Sequence, residues 1–522
     1  MKQKLLRGLA VSVCGAMLLA PMSVSANQAV LKDRHLYEVR TLTGQFQPGF
    51  LDGSAHTASL YNPTSIMELN DGTLLISDTD NHLLRLYSYD QVTRYSGTIL
   101  DLDEHGHPLG AFHDDSKENA FYSHPSGLAI DQQGNIYVAD SNNHSIRIIT
   151  QQGEVKTIAG TGVLGYKDGR GKDAQFYAPS DVAVDGKGNI YVADTLNHAI
   201  RKIDASGNVT TLNKLSDRIV EFFGGMVSEA GDYNDGPLSE ALFNEPTALA
   251  FDEKGNLYVS DTGNQRIRYI DLTAQEVTTV AGGGSYGQND LYAEAAYQDG
   301  AAEQARFSSP MGLSIASDGS VLIADRNNHT IRLLADGVVY TLAGQAEEHG
   351  RSDGVMNAAM LNEPTDVIEL RDGSLAITDS SNNKVRIIKR YEQPQHEEDG
   401  SIHVIINGKL LLSDVVPQLH AGRTYVPLRA LAEELGYEIT YNKDSRQTSL
   451  VIDEHTSLIF SDRGEATVRL TEEEAISIDS TSIMVQNRLF VPVRFVTEEL
   501  GYDVQWDQEQ KHVVIRPYLF LE

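Results

Sequence analysis

One pattern occurs six times along the chain, and it constrains the fold more than any other feature of the sequence. Each copy begins with a proline: Pro63, Pro125, Pro179, Pro246, Pro310 and Pro364. An aspartate follows fifteen residues later: Asp78, Asp140, Asp194, Asp261, Asp325 and Asp379. An asparagine stands three residues after it: Asn81, Asn143, Asn197, Asn264, Asn328 and Asn382. An arginine stands seven residues after the aspartate: Arg85, Arg147, Arg201, Arg268, Arg332 and Arg386. Because every copy matches at all four positions, the chain contains a tandem structural repeat.

Each copy of the repeat predicts four short strands. In the second copy they cover residues 127–131, 136–139, 146–149 and 155–158. The second of these strands is apolar on both faces, which is typical of a sheet that lies between two other sheets. Four antiparallel strands per unit, at intervals of 54 to 67 residues, describe the blades of a propeller. The sequence therefore predicts a mainly β protein with a six-bladed β-propeller over residues 36–390.

The two ends of the repeat region predict how the ring closes. The sixth copy ends after its third strand, at residues 385–388, and lacks the fourth strand. A segment with the missing pattern stands at residues 37–44. We predict that this N-terminal strand completes blade six, which would leave the ring without a free sheet edge.

The residues shared by all blades are interpreted as structural. Asparagine suits a left-handed turn position, aspartate can accept backbone N–H bonds, and the arginine can pair with a neighbouring carboxylate. The same interpretation covers the residue that follows each repeat asparagine. It is a histidine in four blades and an amide in the other two: His82, His144, His198, His329, Gln265 and Asn383.

Functional residues are expected where equivalent positions differ between blades. The residue before each repeat proline varies: Asn62, His124, Ala178, Glu245, Ser309 and Glu363. His124, Glu245 and Glu363 fall in alternate blades, about 120° apart in a six-bladed ring. Since imidazole and carboxylate groups bind divalent cations, these three are candidate ligands for zinc or calcium at the mouth of the channel. The alternative is that they are solvated rim residues, and no other cofactor is expected.

The loops between blades hold further candidates. Residues 103–107 and 113–115 are rich in histidine and acidic residues but show no closed ligand spacing. The long loops at 222–243 and 282–307 carry Gly, Tyr and Asp, and we expect them on the same face as the repeat turns. Surface loops on a rigid scaffold are a usual place for binding.

The N-terminal residues 1–26 are typical of a secretory signal. Lys2, Lys4 and Arg7 precede an apolar run at residues 8–22, and small residues lead to a predicted cleavage near Ala26. No other segment has enough apolar residues to span a bilayer, so the mature chain should have no transmembrane segment. Cys14, the only cysteine, lies within the signal, which excludes disulfides from the mature protein. We therefore expect a secreted or cell-envelope-associated protein.

The overall charge bears on possible partners. The formal net charge is −31 at pH 7. A field of this sign repels nucleic acid, so no nucleic-acid partner is expected. An extracellular protein, glycan or peptide is the expected partner.

A second domain follows the propeller. Residues 391–401 are polar and acidic and predict a linker. Within residues 402–519, a segment at 423–436 repeats at 488–501 with an offset of 65 residues. Each copy predicts a strand and then a helix, with Pro427 or Pro492 in its first turn and Gly436 or Gly501 after its end. We predict a small α/β domain with an internal duplication.

Both regions resemble known families. The sixfold pattern over residues 36–390 resembles the NHL repeat, which implies a propeller used as a binding platform or, less often, as an enzyme. The repeated Tyr/Phe-Val-Pro-Leu/Val-Arg pattern resembles the N-terminal stalk domain of copper amine oxidases, which implies a spacing or anchoring role. The histidines of this region form no His-x-His pair, so no copper is expected.

Two functions remain open from the sequence. The first is an exported, envelope-associated binding or scaffold protein, with the propeller as platform and the C-terminal domain as spacer or anchor. Its support is export and the lack of a nucleophile–base motif. The alternative is a secreted propeller enzyme, a metal-dependent lyase or lactonase that acts on a small extracellular molecule. Its support is the set His124, Glu245 and Glu363.

Overall fold

Six sheets, one for each copy of the repeat, form the propeller in a computed structural model of the chain. The structure describes residues 36–520 except 357, 393, 395–400, 464, 472–474, 508 and 509. The predicted signal at residues 1–26 and most of the predicted linker lie outside the described residues.

Within each blade the strands run in order from the axis outwards. The innermost strands begin at the repeat prolines and are Pro63–Glu68, Pro125–Ile130, Pro179–Val184, Pro246–Phe251, Pro310–Ile315 and Pro364–Glu369. The second strands end at the repeat aspartates and are Leu74–Asp78, Ile136–Asp140, Ile190–Asp194, Leu257–Asp261, Val321–Asp325 and Leu375–Asp379. The third strands carry the repeat arginines and are Leu83–Ser88, Ser145–Ile149, Ala199–Ile203, Arg266–Asp271, Thr330–Ala335 and Lys384–Arg390. The fourth strands are Gln91–Ser96, Val155–Ala159, Asn208–Thr211, Glu276–Gly282, Val338–Ala343 and, for blade six, Tyr37–Thr43.

Shorter elements connect and flank these strands. A turn of 3-10 helix joins the second and third strand of every blade: Thr79–Asn81, Ser141–Asn143, Thr195–Asn197, Thr262–Asn264, Arg326–Asn328 and Ser380–Asn382. A further 3-10 turn covers Gly171–Asp173. Two-residue strands extend the outer edge of five blades: Gly53–Ser54, Gly169–Arg170, Gly236–Pro237, Gly300–Ala301 and Gly354–Val355. A hairpin of Ile219–Phe223 and Met226–Glu229 is inserted between blades three and four.

The N-terminal strand closes the ring, as the sequence predicts. Tyr37–Thr43 pairs antiparallel with Lys384–Arg390, the third strand of blade six. Val39 on this strand is fully buried, in one cluster with Ile388 of blade six and Leu322 of blade five. Ring closure therefore depends on residues about 350 positions apart in the chain.

The core of the propeller lies between the blades. Six clusters of buried side chains each combine residues from two adjacent blades. The second strands supply side chains to both neighbours. All five residues of Ile136–Asp140, for example, are buried. This explains why their sequences are apolar at successive positions.

Among its described residues, the C-terminal domain has three sheets and two helices. Its strands are His403–Ile406, Lys409–Leu410, Gln418–His420, Arg423–Pro427, Glu438–Asn442, Gln447–Val451, Ser457–Ser461, Ala466–Leu470, Ala475–Thr481, Ile483–Val485, Arg488–Pro492, Tyr502–Asp507 and His512–Pro517. The helices, Leu428–Leu435 and Val493–Glu499, occupy equivalent places in the two copies of the duplication. Pro427 and Pro492 directly precede these helices instead of lying in their first turns, because each proline still has the extended backbone of the preceding strand. Gly436 follows the first helix with a φ of 79°, which favours glycine.

The C-terminal domain is attached to the blade that closes the ring. Phe520 N–H donates to the Asp353 carbonyl at 2.9 Å, and Val355 N–H donates to the Tyr518 carbonyl at 3.0 Å. Buried Arg516 pairs with Asp503 of its own domain at 2.7 Å and with Glu38 of the closing strand at 3.3 Å. The domain therefore contacts the outer edge of blade six and also Tyr37–Thr43, the N-terminal strand that closes the ring.

No helix in the described ranges has both the length and the apolar character needed to cross a membrane.

Candidate functional site

The repeat residues form one hydrogen-bonded unit inside every blade. In blade three, the fully buried Arg201 donates from Nη1 to Asp194 at 2.5 Å. Asn197 donates to the same carboxylate at 2.8 Å, and the N–H of Tyr177 donates to its other oxygen at 2.7 Å. The equivalent arginine–aspartate bond measures 2.5–2.8 Å in all six blades. Burial raises the pKa of Asp194 to about 6, and the Arg201 charge opposes this rise.

A second aspartate completes the unit, and the sequence analysis missed it. Each repeat arginine also donates to a carboxylate in the loop before its blade, 33 residues earlier: Asp52, Asp114, Asp168, Asp235, Asp299 and Asp353. The sequence does carry a signal for these aspartates, because each stands at the same distance before the repeat arginine in every copy. Asp114 belongs to the loop regarded as a candidate metal site, and the structure shows it bound to Arg147 at 2.9 Å.

The residue after each repeat asparagine joins neighbouring blades. It has a left-handed backbone, with φ between 48° and 57°, and its side chain accepts the N–H of the residue before the next blade's proline. In blade one, His82 Nδ1 accepts the N–H of His124 at 3.0 Å. Gln265 accepts the N–H of Ser309 at 2.6 Å, and Asn383 accepts the N–H of Asn62 at 2.9 Å. An amide side chain therefore replaces the imidazole as the acceptor in these two blades.

This arrangement predicts a pH dependence of stability that one substitution should reduce. Burial, followed by the charge of His124, lowers the pKa of His82 to about 4 from its ordinary 6.5. Between these values the unfolded chain binds a proton that the folded chain does not, so the free energy of unfolding falls as the pH is lowered through this range. His82→Gln should remove about 1–2 kcal/mol of that fall at pH 5, since glutamine does not titrate. Urea unfolding of both proteins at pH 7.5 and pH 5 measures the difference, and an identical loss in both would contradict the role of His82.

The three candidate metal ligands each have a separate partner. His124 lies 3.5 Å from Asp80 and contacts the Asn142 amide at 2.7 Å. Glu245 accepts the hydroxyl of Tyr292 at 3.0 Å, and Glu363 pairs with Arg326 at 2.5 Å. Over the described ranges, no three His, Asp or Glu side chains form a group that could hold a metal ion. The metal site stays a prediction, and the geometry gives it no support.

A cavity of about 450 Å³ lies on the propeller axis, lined by the innermost strands of all six blades. Its lining residues are all described, and none is a lysine or arginine. Hydroxyls from all six blades contribute to it: Thr64, Ser65, Ser126, Ser141, Ser180, Thr247, Ser314 and Thr365. Its carboxylates are Asp181, Asp366, Glu68 and Glu369. The cavity is therefore rich in hydrogen-bond acceptors and carries no positive charge from its own lining.

Asp181 and Asp366 are equivalent residues on opposite blades, three and six, two positions after the repeat proline. The other blades have Ser65, Gly127, Ala248 and Gly312 at this position. Both aspartates accept backbone N–H groups from the next blade, Asp181 from Leu249 at 2.8 Å and Asp366 from Ile66 at 3.1 Å. They therefore help to hold the ring and line the cavity at the same time.

Burial changes the protonation of these two aspartates. Desolvation raises the pKa of Asp366 to about 6 and that of Asp181 well above its ordinary range. The charge of Asp366 contributes to the rise at Asp181. Desolvated carboxylates with raised pKa values favour a ligand that brings positive charge or donates hydrogen bonds.

A glycine from the preceding blade makes room for each aspartate. A Cβ atom on Gly312 would lie 2.6 Å from Asp366 Oδ1 and 2.4 Å from the Thr365 carbonyl oxygen. Gly127 faces Asp181 in the same way. At this position a glycine in one blade is followed by an aspartate in the next blade, once in blades two and three and again in blades five and six. The cavity therefore has an approximate twofold symmetry. The sequence analysis did not identify this pair, although the variation two residues after the prolines was visible.

The long loops join above blade four. Arg218 donates to the carbonyls of Asp290 and Leu291 at 2.7 and 2.9 Å, and its guanidinium lies 4.1 Å from the centre of the Tyr286 ring. Asn244 binds the Tyr286 hydroxyl at 3.0 Å. The loops at 216–231 and 282–296 are therefore held against each other on the face that carries the repeat turns.

Known proteins match both parts of the chain. Family models match as NHL repeat at residues 122–149 and 176–203, as Teneurin NHL domain at 233–335, and as copper amine oxidase N-terminal domain at 405–515. Protein SUPPRESSOR OF QUENCHING 1, chloroplastic, from Arabidopsis thaliana is 30% identical over 287 residues, which cover 53% of this chain and 26% of that protein. NHL repeat-containing protein 2 from Gallus gallus is 28% identical over 291 residues, 51% of this chain and 38% of that protein. This chain thus spans about a quarter to two fifths of these curated relatives.

Among solved structures, an auxiliary nutrient binding protein from Bacteroides thetaiotaomicron superposes with a TM-score of 0.49 at 16% identity. The superposition covers 68% of this chain and 77% of that one. Six sheets around one axis, the repeat residues within them and the family matches all agree. The chain therefore carries an NHL-repeat β-propeller followed by a copper amine oxidase N-terminal domain.

Proposed function

We propose that the protein is an exported binding protein whose propeller takes a small polar molecule in its axial cavity. The observation that carries the proposal is the cavity itself, in which Asp181 and Asp366 break the regularity of the repeat at opposite blades. A pre-formed cavity with a few convergent polar groups is the usual form of a small-molecule site. Its volume of about 450 Å³ lies in the range of such sites.

The lining indicates the chemical class of the ligand. Carboxylates and hydroxyls supply acceptors, and no cationic side chain lines the cavity to receive an anion. The net charge of −31 also raises the local concentration of cations relative to anions. The ligand is therefore a cation or a neutral molecule that donates several hydrogen bonds, such as an amine or an amino sugar.

Calorimetric titration of the full chain with spermidine, glucosamine and gluconate tests this proposal. We expect saturable binding of one amine per chain and no binding of gluconate, which is similar in size to glucosamine but anionic. Asp181→Asn combined with Asp366→Asn should weaken the amine at least about tenfold, because each asparagine keeps an acceptor for the backbone N–H and loses the carboxylate. Unchanged binding by this double variant, or equal binding of gluconate, would overturn the proposal.

Export and a spacer role complete the proposed function. Residues 1–26 have the pattern of a secretory signal, and sequencing the N-terminus of protein recovered from the medium should find Asn27 first. Retention of Met1 on the recovered protein would contradict export by this route. The C-terminal domain contacts blade six through Arg516 and residues 518–520, which supports a role in holding the propeller in a fixed orientation.

A further inference from the structure

The axial cavity extends along the innermost strands from one end to the other. In blade one its lining runs through five consecutive residues, from Thr64 to Glu68, the last residue of the strand Pro63–Glu68. Because a strand advances about 3.3 Å per residue, these residues extend over about 13 Å. The cavity is therefore elongated, and a ligand that uses its whole length is long and narrow rather than compact.

The lining changes in character along this length. Asp181 and Asp366, the aspartate pair, stand two positions after their repeat prolines, and the glutamate pair stands five positions after its prolines: Glu68 and Glu369. Asp366 and Glu369 belong to the same strand and are three residues, or about 10 Å, apart along it. Between the two pairs lies an apolar belt, formed in five blades by the residue three positions after the proline: Ile66, Leu128, Val182, Leu249 and Leu313. The cavity thus has two acidic levels that are separated by an apolar one.

Both pairs of carboxylates receive hydrogen bonds but no ion pair from the described residues. The aspartate pair accepts backbone N–H and serine hydroxyl groups. Glu369 accepts the backbone N–H and the hydroxyl of Ser317 at 2.6 and 3.1 Å. Glu68 accepts the backbone N–H of Arg371 at 2.9 Å, while the guanidinium of this arginine donates to two backbone carbonyls. Every repeat aspartate has its arginine, whereas the two acidic levels leave to a ligand the positive charge that a carboxylate away from water requires.

We propose that the axial cavity takes a linear polyamine, which lies along it with one ammonium group at the aspartate pair and another at the glutamate pair. This inference rests on the proposed function and narrows its ligand to one chemical class. The methylene chain between the nitrogen atoms packs against the apolar belt, and the ammonium groups donate charge-assisted hydrogen bonds to the carboxylates. An amino sugar has one ammonium group and no such chain, so it engages only one of the two acidic levels.

Diamines of different lengths test this two-point binding without any change to the protein. In calorimetric titration of the full chain, we expect the affinity for unbranched α,ω-diamines to pass through a maximum at the length that places their nitrogen atoms about 10 Å apart. The monoamine with the same number of carbon atoms should bind at least about tenfold more weakly, because it engages only one level. A diamine that bound no more tightly than this monoamine, or an affinity that rose steadily with each added methylene, would overturn the inference. The proposed function would survive either result if the aspartate double variant still weakened the amines, whereas the absence of any amine binding would overturn both.

Removal of the glutamate charges tests the second level directly. Glu68→Gln combined with Glu369→Gln should weaken the best diamine at least about fivefold, because its second ammonium group loses both carboxylates. The same variant should leave the affinity for the monoamine within about twofold, since the aspartate pair is unaltered. Glu253→Gln is the control, because it removes an exposed charge from the turn that follows the innermost strand of blade four, outside the cavity lining. Equal weakening by Glu253→Gln, or a glutamate variant that binds the diamine as tightly as the unaltered protein, would overturn the inference.

Discussion

Replacing Arg201 with leucine should lower the free energy of unfolding by about 3–5 kcal/mol, because the change leaves a buried carboxylate without its partner. Arg201 and Asp194 are both fully buried and lie 2.5 Å apart. The guanidinium also donates to the carbonyls of Gln175 and Lys167 at 3.1 and 3.0 Å, which tie the loop to the blade. Leucine can fill part of the space but satisfies none of these acceptors. Urea unfolding followed by circular dichroism measures the loss.

The matched control is Asp168, the second carboxylate bound to the same arginine. Its side chain is 46% exposed, so Asp168→Asn leaves Arg201 paired with Asp194 and removes a solvent-screened charge. The asparagine keeps an amide oxygen that can accept from Thr211, as Asp168 does. We expect this variant to lose about 1 kcal/mol or less. If the two variants lost equal stability, the buried pair would not be the main contribution of the repeat arginine.

Introducing an aspartate at Val39 should destabilise the whole ring by about 3–5 kcal/mol, since it places a charge in the core that joins blades five and six. Val39 is fully buried between Ile388 and residues of blade five. The backbone pairing of Tyr37–Thr43 with blade six closes the ring, so loss of this strand should expose both of its neighbours. Limited proteolysis of Val39→Asp should cut blades five and six first.

Arg40, the next residue on the same strand, provides the control. Its side chain is 42% exposed and its ion pair is with Glu38. Arg40→Ser should change the free energy of unfolding by less than about 1 kcal/mol. A Val39→Asp protein as stable and as protease-resistant as Arg40→Ser would show that the N-terminal strand is not needed for closure.

The propeller ring could be predicted from the sequence because the residues that form each blade are close together in the chain and recur in every copy of the repeat. Four invariant positions predict the blades, and the segment at residues 37–44 predicts the closing strand to within one residue of the observed Tyr37–Thr43. Pro427 shows the limit of this reasoning. The sequence shows that Pro427 lies near the start of a helix. Whether this proline precedes the first helical turn or belongs to it depends on how far the preceding strand continues.

The cavity could not be predicted because it depends on contacts between blades. The pairing of the innermost strand shifts after the repeat proline of every blade, between Pro179 and Asp181 in blade three. The pre-proline residues His124, Glu245 and Glu363 were favoured because they differ between blades. The same criterion, applied two residues after the prolines, would have indicated Asp181 and Asp366.

A crystal structure of the full chain grown with saturating spermidine tests most directly whether the axial cavity is the binding site. We predict density for the amine in the cavity, with nitrogen atoms within hydrogen-bond distance of the Asp181 and Asp366 carboxylates. An amine that bound in calorimetry but lay among the loops at 216–231 and 282–296, with the cavity free of it, would contradict the proposed site.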